Sequence, residues 1–156
     1  MNEHIIKAFK TLANDILSLF QTVLESDIGI NRKPRAEGKN TLKNSRLART
    51  KEIQFDVPFL YLILNDYIDD IENGRKVGAR PLVPISDLRE WADRNNIPSD
   101  NHTLMLIQAA IFKDGIKGRP VMKTFWRLMD EEWKDTYSTL LFNSIMEELE
   151  QYFNKG

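Results

Sequence analysis

Two histidines are the side chains of this sequence best suited to acid–base chemistry. His4 and His102 both stand beside the start of a predicted helix, and an imidazole can act as a general base near neutral pH. A hydrolase or transferase, however, needs a nucleophile, base or metal set that the fold brings together. Neither histidine belongs to a recognisable set of this kind, and solvated polar residues are common in a first helical turn. We therefore predict no catalytic residue, no cofactor and no enzymatic activity.

A run of carboxylates is the one arrangement that resembles a divalent-cation site. The run contains Asp66, Asp69, Asp70 and Glu72, and Asp66 and Asp70 share a helical face because they are four residues apart. Oxygen-ligand sites usually draw further ligands from elsewhere or follow a calcium-binding loop pattern, which this run lacks. The sequence has no cysteine, so disulfides and thiolate-bound metals are excluded. We interpret the run as a solvated acidic face and predict no metal site.

Two segments combine glycine with cations, as phosphate-binding loops do. They read GRKVG (74–78) and DGIKGRP (114–120). Neither has the Gly-Lys-Ser/Thr pattern that follows a strand and opens a helix, so neither is interpreted as a phosphate loop. Trp126 and Trp133 are spaced by multiples of a helical turn, which is more typical of core residues than of a ligand platform.

Composition indicates one ordinary globular domain over residues 1–156. Hydrophobic residues make up 42% and charged residues 29%, and the formal net charge of −1 at pH 7 does not indicate a nucleic-acid or membrane binder. No apolar run approaches the roughly 20 residues that span a bilayer. Lys7, Lys10, Asn14 and Asp15 interrupt the apolar residues of the N-terminus, where an export signal needs an unbroken stretch. We expect synthesis in a cytoplasm and no membrane partner.

The first segment, residues 1–26, predicts a strong amphipathic helix. Its apolar face combines a stripe in alternating four- and three-residue steps with a second row that widens it: Ile5, Phe9, Leu12, Ile16, Leu19 and Val23, then Ile6, Ala13, Leu17, Phe20 and Leu24. Asn2 is a candidate N-cap. Core packing is the first interpretation of this face, and contact with a partner is the alternative.

The central segment, residues 52–120, predicts one strand and several helices. Residues 52–57 alternate as a half-buried strand does. The apolar run 59–64 favours a helix by its spacing with Ile68 and Ile71, although a strand through Leu64 remains open. Glycines and prolines predict a loop over 74–84. Two helices follow. The first has the apolar positions Ile85, Leu88, Trp91 and Ala92, and the second has Leu104, Ile107 and Ile111. Ser99 or Asp100 caps the second helix, and Gly115 ends it.

The last segment, residues 121–154, keeps helical spacing without a glycine or proline. Its apolar positions are Met122, Trp126, Met129, Trp133, Tyr137, Leu141, Ile145, Leu149 and Tyr152. The pattern fits one long helix or two helices joined by a bend near Asp130 or Thr136. The predicted fold class is therefore α+β and mainly helical, with long terminal helices, a small sheet and two short central helices.

Residues 27–51 differ from the rest of the chain because they are strongly basic. Within 32–51 only Glu37 opposes eight cations: Arg32, Lys33, Arg35, Lys39, Lys43, Arg46, Arg49 and Lys51. Like charges at this density repel, and Gly29, Pro34 and Gly38 interrupt regular structure. We predict an extended arm or loop, with a short helical turn around 42–47 as an alternative.

The middle of the chain resembles the neck and tail-completion proteins of long-tailed bacteriophages, which join heads to tails and include minor tail proteins. The resemblance covers roughly residues 40–122, and it lies in the order of IQFDVP, YIDDIENGRKVG, PISDLREWADRNNI and IFKDGIKGRP after NTLKNSRLARTKEI. The matching positions are Glu72, Gly74, Arg75, Gly78, Pro84, Trp91, Gly115, Ile116, Arg119 and Pro120. Val77 departs from the family, which usually has proline there, and the segment after Pro120 is longer than typical.

The resemblance implies a non-enzymatic virion subunit that forms a homo-oligomeric ring between portal and tail, as in the neck rings of crAss-like phages. Its implied partners are other copies, the portal, other neck or tail proteins and, non-specifically, packaged DNA. We expect assembly contacts at cations of the arm and of both glycine loops, with one carboxylate: Arg32, Lys33, Arg35, Lys39, Lys43, Arg46, Arg49, Glu72, Arg75, Lys76, Arg80, Lys117 and Arg119. The alternative function is a small phage-encoded DNA-binding accessory or regulatory protein that uses residues 32–51.

Overall fold

The computed structural model describes residues 3–26, 42–43 and 45–155. In chain order its elements are α1 (Glu3–Glu25), α2 (Arg46–Thr50), β1 (Glu52–Asp56), β2 (Phe59–Ile63), α3 (Ile68–Asn73), β3 (Gly74–Arg75), α4 (Ile85–Arg94), α5 (Asn101–Asp114), β4 (Ile116–Lys117), α6 (Val121–Glu132), a π-helical segment (Trp133–Tyr137) and α7 (Ser138–Asn154). The mainly helical α+β class with long terminal helices is confirmed. The candidate cap Asn2 lies outside the described residues.

Tertiary contacts divide the chain into two compact units. Unit 1 is Met1–Asp66 together with Val121–Gly156, and unit 2 is Tyr67–Pro120. Unit 1 is therefore built from two stretches that are distant in sequence, whereas unit 2 is continuous. Composition alone, from which we expect one domain, carries no signal for this division.

Helix α1 forms the centre of unit 1 and buries the face that its spacing predicts. Phe9, Leu12, Ile16 and Phe20 are all at most 7% exposed. Helices α6 and α7 and the strands β1 and β2 pack on this face. The ring of Phe20 meets that of Phe125 edge-on, with ring centroids 5.2 Å apart, a favoured geometry for an aromatic pair. Core packing, the first interpretation of this helix, is confirmed.

Residues 59–63 form a strand, so the helix favoured for this run is wrong. Strands β1 and β2 pair antiparallel, from Glu52 with Ile63 to Asp56 with Phe59, which leaves a two-residue connection. Aromatic and branched side chains suit a pleated strand whose hydrogen bonds a neighbouring strand completes. The alternation turns Leu60 inward and leaves Tyr61 exposed. The predicted strand beginning at Glu52 is confirmed, with Ile53 and Phe55 half-buried.

The last segment is one helical path with a π-helical segment at Trp133–Tyr137. The backbone stays right-handed helical at Glu132 (φ −64°, ψ −34°) and Ser138 (φ −62°, ψ −39°), so the helical path is continuous through this segment. A π turn holds more residues than an α turn. One additional residue rotates the following side chains by about 100°.

Burial in α7 follows the 3.6-residue helical period counted from the buried Tyr137. The spacing predicts that Ile145 and Leu149 continue the apolar face, yet the side chains buried there are the preceding residues, Ser144 and Glu148. Both polar groups have partners. The Ser144 hydroxyl donates to the Leu140 carbonyl at 2.8 Å, and Glu148 accepts the backbone N–H of His4 at 2.8 Å. As a result, much of the apolar face of α7 is left on the surface.

Unit 2 has a small core between α4 and α5. Leu88, Ala92 and Leu104 are its buried residues, and Ile107 and Ile111 pack against them, as their spacing predicts. The Asp100 side chain caps α5 by accepting the backbone N–H of Thr103 at 3.0 Å. Of the two predicted N-caps, Asp100 rather than Ser99 is therefore the one used. At the other end, Gly115 has a positive φ of 68° and ends the helix as predicted.

Candidate assembly surface

The two glycine-containing basic loops lie side by side in unit 2. Strands β3 and β4 pair antiparallel, Gly74 with Lys117 and Arg75 with Ile116. Beyond this pairing, the Gly78 N–H donates to the Phe112 carbonyl at 2.7 Å, and the Arg119 N–H donates to the Ile71 carbonyl at 2.7 Å. These contacts join residues 74–82 and 113–119 into one surface, here called the basic ribbon. Treating the two segments as separate loops misses this surface.

Glycine is required where the two chains of the basic ribbon approach most closely. A Cβ on Gly74 would fall on the carbonyl oxygen of Ile116, and a Cβ on Gly118 would fall on that of Glu72. The obstructing atoms belong to backbone and cannot rotate away. Gly74 also has a φ of 70°, which is unfavourable for other residues.

Four of the six cations of the basic ribbon fall into two groups. Arg75 donates through Nη2 to the carbonyls of Ala79 and Pro81, and the Arg80 guanidinium lies 5.2 Å from the centre of the Phe112 ring. These two arginines therefore shape the loop. Lys76 and Lys117 are exposed, and within the described part of the chain no carboxylate lies at ion-pair distance from either.

The remaining predicted contact residues do not form one cluster. Glu72 and Arg119 are half-buried at the base of the basic ribbon. Four arm residues, Arg32, Lys33, Arg35 and Lys39, lie outside the described residues. The other three, Lys43, Arg46 and Arg49, are exposed in unit 1.

Residues 46–50 correct the prediction of an extended arm through Lys51. They form helix α2, which Ser45 caps by accepting the Ala48 N–H at 3.2 Å. Leu47 is fully buried and Ala48 is buried beside it, so burial of two apolar side chains fixes a helix that local charge repulsion disfavours. The helical turn left open for 42–47 lies slightly later in the chain.

A row of large apolar side chains is exposed on α7. It consists of Phe142, Ile145, Met146, Leu149, Tyr152 and Phe153, here called the α7 face. Tyr152 and Phe153 are 76% and 72% exposed. Beside it, a shallow recess of about 280 Å³ is lined by Ile5, Ile145, Glu148, Leu149 and Tyr152. The predicted apolar spacing includes Ile145, Leu149 and Tyr152 of this face, whereas Phe142, Met146 and Phe153 lie outside it.

A second apolar recess, of about 200 Å³, lies between α1, the hairpin and α6. Leu12, Ile16, Leu60 and Leu62 contribute to one side, and Trp126, Met129 and Trp133 contribute to the other. Trp126 is 60% and Trp133 48% exposed, so the interpretation of these tryptophans as core residues is wrong. The outer side of β2 is also apolar and exposed, through Phe59, Tyr61 and Ile63.

Neither histidine lies in an arrangement typical of a catalytic base. Glu147 accepts from Nδ1 of His4 at 3.0 Å, and the Gln151 amide contacts its Nε2 at 2.7 Å, so the ring links α1 to α7. His102 is exposed in the first turn of α5. In the part of the chain that the structure describes, no three His, Asp or Glu side chains are placed to hold a metal ion. No helix there is both long and apolar enough to cross a bilayer.

No protein-family model, curated protein or solved structure matches this chain. The chemistry of its own surfaces is therefore the basis for a function.

Proposed function

We propose that this chain is a non-enzymatic structural subunit of a tailed-phage particle, a ring component of the neck that joins the portal to the tail. The observation that carries the proposal is the amount of large apolar side chain left uncovered on unit 1. The exposed groups lie on two different elements, the outer side of β2 and the α7 face.

Uncovered apolar surface of this kind favours an assembling protein. Soluble monomers rarely expose contiguous apolar patches beyond a few hundred Å², and aromatic residues and methionine are enriched at protein interfaces. The α7 face presents three aromatic rings, on Phe142, Tyr152 and Phe153, together with Met146. Each such side chain contributes roughly 1.5–3 kcal/mol when it is fully removed from water.

The two surfaces also differ from each other, as a ring requires. A closed ring built from head-to-tail contacts needs two unlike patches on every subunit. The outer side of β2 is an aromatic strand surface, whereas the α7 face is the apolar side of a helix. The basic ribbon adds a charged surface that suits contact with an acidic neighbouring ring or with the phosphates of passing DNA.

Electron microscopy combined with particle analysis tests this function. The purified chain is expected to form rings in negative stain, and it is expected as a component of purified phage particles. Particles made without it should accumulate as separate heads and tails. A chain that stays monomeric and is absent from purified particles would contradict the proposal.

The alternative function is DNA binding by an accessory or regulatory protein. The exposed Lys43, Arg46 and Arg49, together with Lys76 and Lys117, favour phosphate contact. Retention on DNA that weakens steeply as salt rises, without ring formation, would favour this alternative. Retention that is weak at low salt would exclude it.

A further inference from the structure

The outer side of the β1–β2 hairpin combines two kinds of chemistry on one surface. The exposed residues of the two strands, here called the hairpin face, are Glu52, Gln54, Asp56, Phe59, Tyr61 and Ile63. In the antiparallel register the three polar residues of β1 lie directly opposite the three residues of β2. One strand of the hairpin face is therefore acidic, and the strand beside it is aromatic and apolar.

The apolar half of the hairpin face is open in the single chain. Phe59 is 59%, Tyr61 50% and Ile63 41% exposed, and the rings of Phe59 and Tyr61 lie with their centroids 6.3 Å apart. The opposite side of the hairpin packs on unit 1, where the ring of Phe55 lies 6.4 Å from that of Phe9 on α1. The hairpin face is thus the side of this sheet that a partner can cover.

The acidic half of the hairpin face is formed by the carboxylates of Glu52 and Asp56. Glu52 accepts a hydrogen bond from the Gln54 amide at 2.8 Å, but a neutral donor does not cancel its charge. Among the residues that the structure describes, no lysine, arginine or histidine lies at ion-pair distance from either carboxylate. A matching partner therefore brings cations to one strand and apolar side chains to the other.

Residues 28–35 of this chain have that composition. They read IGINRKPR, in which two isoleucines precede Arg32, Lys33 and Arg35 and no carboxylate occurs. We propose that the hairpin face of one copy is the docking site for residues 28–35 of a second copy. This inference rests on the proposed function, since it assigns a contact by which the subunits associate.

Each half of the hairpin face then meets a group of matching chemistry. Cations of the segment lie against Glu52 and Asp56, and charge pairs of this kind fix the register of a contact and select the partner. The isoleucines cover part of the aromatic strand, and an arginine also packs favourably on the face of an aromatic ring such as Tyr61. Exposed strands with apolar side chains commonly accept an added segment from another chain.

The segment is long enough to reach a neighbouring copy. The described residues stop at Ser26, after α1, and continue at Leu42, so 15 residues connect two points of unit 1. Each residue spans at most about 3.3–3.6 Å, so the middle of this connection can lie on the order of 25 Å from unit 1. Because the segment and the hairpin face are unlike, a contact between them leaves one of each free, and further copies can be added until a ring closes.

Charge reversal tests the contact, with sedimentation velocity as the readout of self-association. Arg32→Glu with Arg35→Glu makes the segment acidic, and Glu52→Lys with Asp56→Lys makes the hairpin face basic. Each double variant alone should weaken association about tenfold or more, because attractive charge pairs at the contact become repulsive.

Mixing the two double variants should restore association to near the wild-type strength, because each segment then meets a hairpin face of opposite charge. Asp93→Lys with Asp114→Lys is the matched control for the hairpin variant. It changes net charge equally at exposed carboxylates of unit 2 and should associate like the wild type. Circular dichroism establishes that each variant is folded.

Wild-type association that neither reversal weakens, or a mixture that stays dissociated, would overturn this contact while leaving the proposed function intact. A wild-type chain that never associates would overturn both.

Disulfide cross-linking identifies the occupant directly, because the sequence contains no cysteine of its own. Asn31→Cys keeps every cation of the segment, and Gln54→Cys lies in the middle of the acidic strand. Mild oxidation of a mixture of these two single variants should join them as a heterodimer. A Gln54→Cys homodimer in its place would show two hairpin faces in contact. A disulfide that forms only within one chain carrying both cysteines would show a segment docked on its own hairpin, and either result would overturn the proposal.

Discussion

Glu148 on α7 accepts a hydrogen bond from the backbone N–H of His4, with Oε1 2.8 Å from the nitrogen. His4 lies in the first turn of α1, where N–H groups have no partner within the helix. A carboxylate there also interacts favourably with the positive end of the helix dipole. Helix α7 thus caps α1. This cap is the physical reason why the acidic Glu148 is buried in a mostly apolar packing surface.

Replacing this carboxylate should destabilise unit 1. Glu148→Ala leaves the His4 N–H without its acceptor in a partly buried position, and we expect the free energy of unfolding to fall by about 1–2 kcal/mol. Glu148→Gln keeps an acceptor oxygen and should cost less. Denaturant unfolding followed by circular dichroism measures the difference. Glu150→Ala, on the exposed side of the same helix, is the control and should change stability by less than about 0.5 kcal/mol; equal effects of the two alanine variants would contradict the capping role.

The aromatic pair Phe20–Phe125 should be among the most sensitive positions of the core. Both rings are at most 1% exposed, so Phe125→Ala leaves a cavity and should lower the free energy of unfolding by about 3–5 kcal/mol. The neighbouring Trp126 is a matched control because it is large and aromatic but 60% exposed. Trp126→Ala should cost much less in the same denaturant experiment. A comparable loss for both would mean that Trp126 is covered in solution.

Alanine substitutions at Gly74 and Gly78 should separate two reasons for glycine in the basic ribbon. One is a steric clash with the neighbouring backbone, and the other is the energetic cost of a positive φ. Gly74→Ala places a methyl group on the Ile116 carbonyl oxygen, so we expect loss of the β3–β4 pairing. Gly78 has nearly the same positive φ, 69° against 70°, but a Cβ there meets nothing within 4 Å. Gly78→Ala should therefore cost only about 1 kcal/mol of backbone strain. Amide exchange of Ile116 and Lys117 measures the pairing; equal protection in both variants would refute the steric argument.

The stability of α5 should depend on pH through its Asp100 cap. The pKa of Asp100 is lowered from its ordinary value of 3.8, chiefly because the Thr103 hydroxyl and then the Thr103 N–H donate to the carboxylate. Since folding lowers this pKa, the cap stabilises the helix above pH 3.8 and loses that contribution as pH falls through the lower folded-state value. Asp100→Asn, which caps without titrating, should remove this part of the acid dependence.

NMR titration of the Asp100 carboxyl carbon tests the cause of that shift. Thr103→Val removes the hydroxyl donor and should move the midpoint up toward 3.8. His102→Ala removes only the smallest contribution and should move it less. A larger shift in the His102 variant would show that charge rather than hydrogen bonding sets this pKa.

Local patterns were sufficient for the parts of the fold that local physics determines. The apolar face of α1, the Asp100 cap and the stop at Gly115 all follow from periodicity and terminal chemistry. The run 59–63 is short and apolar, and periodicity alone does not distinguish a strand from a helix there. Its pairing with β1 is what makes this run a strand rather than a helix.

The candidate site depended on features that no local pattern contains. Strands β3 and β4 are two residues each, and their pairing joins segments far apart in sequence. The π-helical segment at Trp133–Tyr137 is equally hidden, because the apolar spacing continues through it. Ile145 and Leu149 lie eight and twelve residues after the buried Tyr137, off the helical period that keeps Ser144 and Glu148 inward, so they belong to the α7 face. The glycines Gly74 and Gly118 were the available hint of close backbone approach.

The discontinuous make-up of unit 1 has a consequence for synthesis. Helix α1 is translated before unit 2, whereas α6 and α7, which pack on its apolar side, are translated after unit 2. Because domains generally fold as units while they are made, unit 2 can complete its core while α1 still waits for those helices. The α7 face, one of the two apolar surfaces proposed for assembly, therefore forms only after unit 2 has been made, so a nascent chain that has not reached α7 lacks this surface.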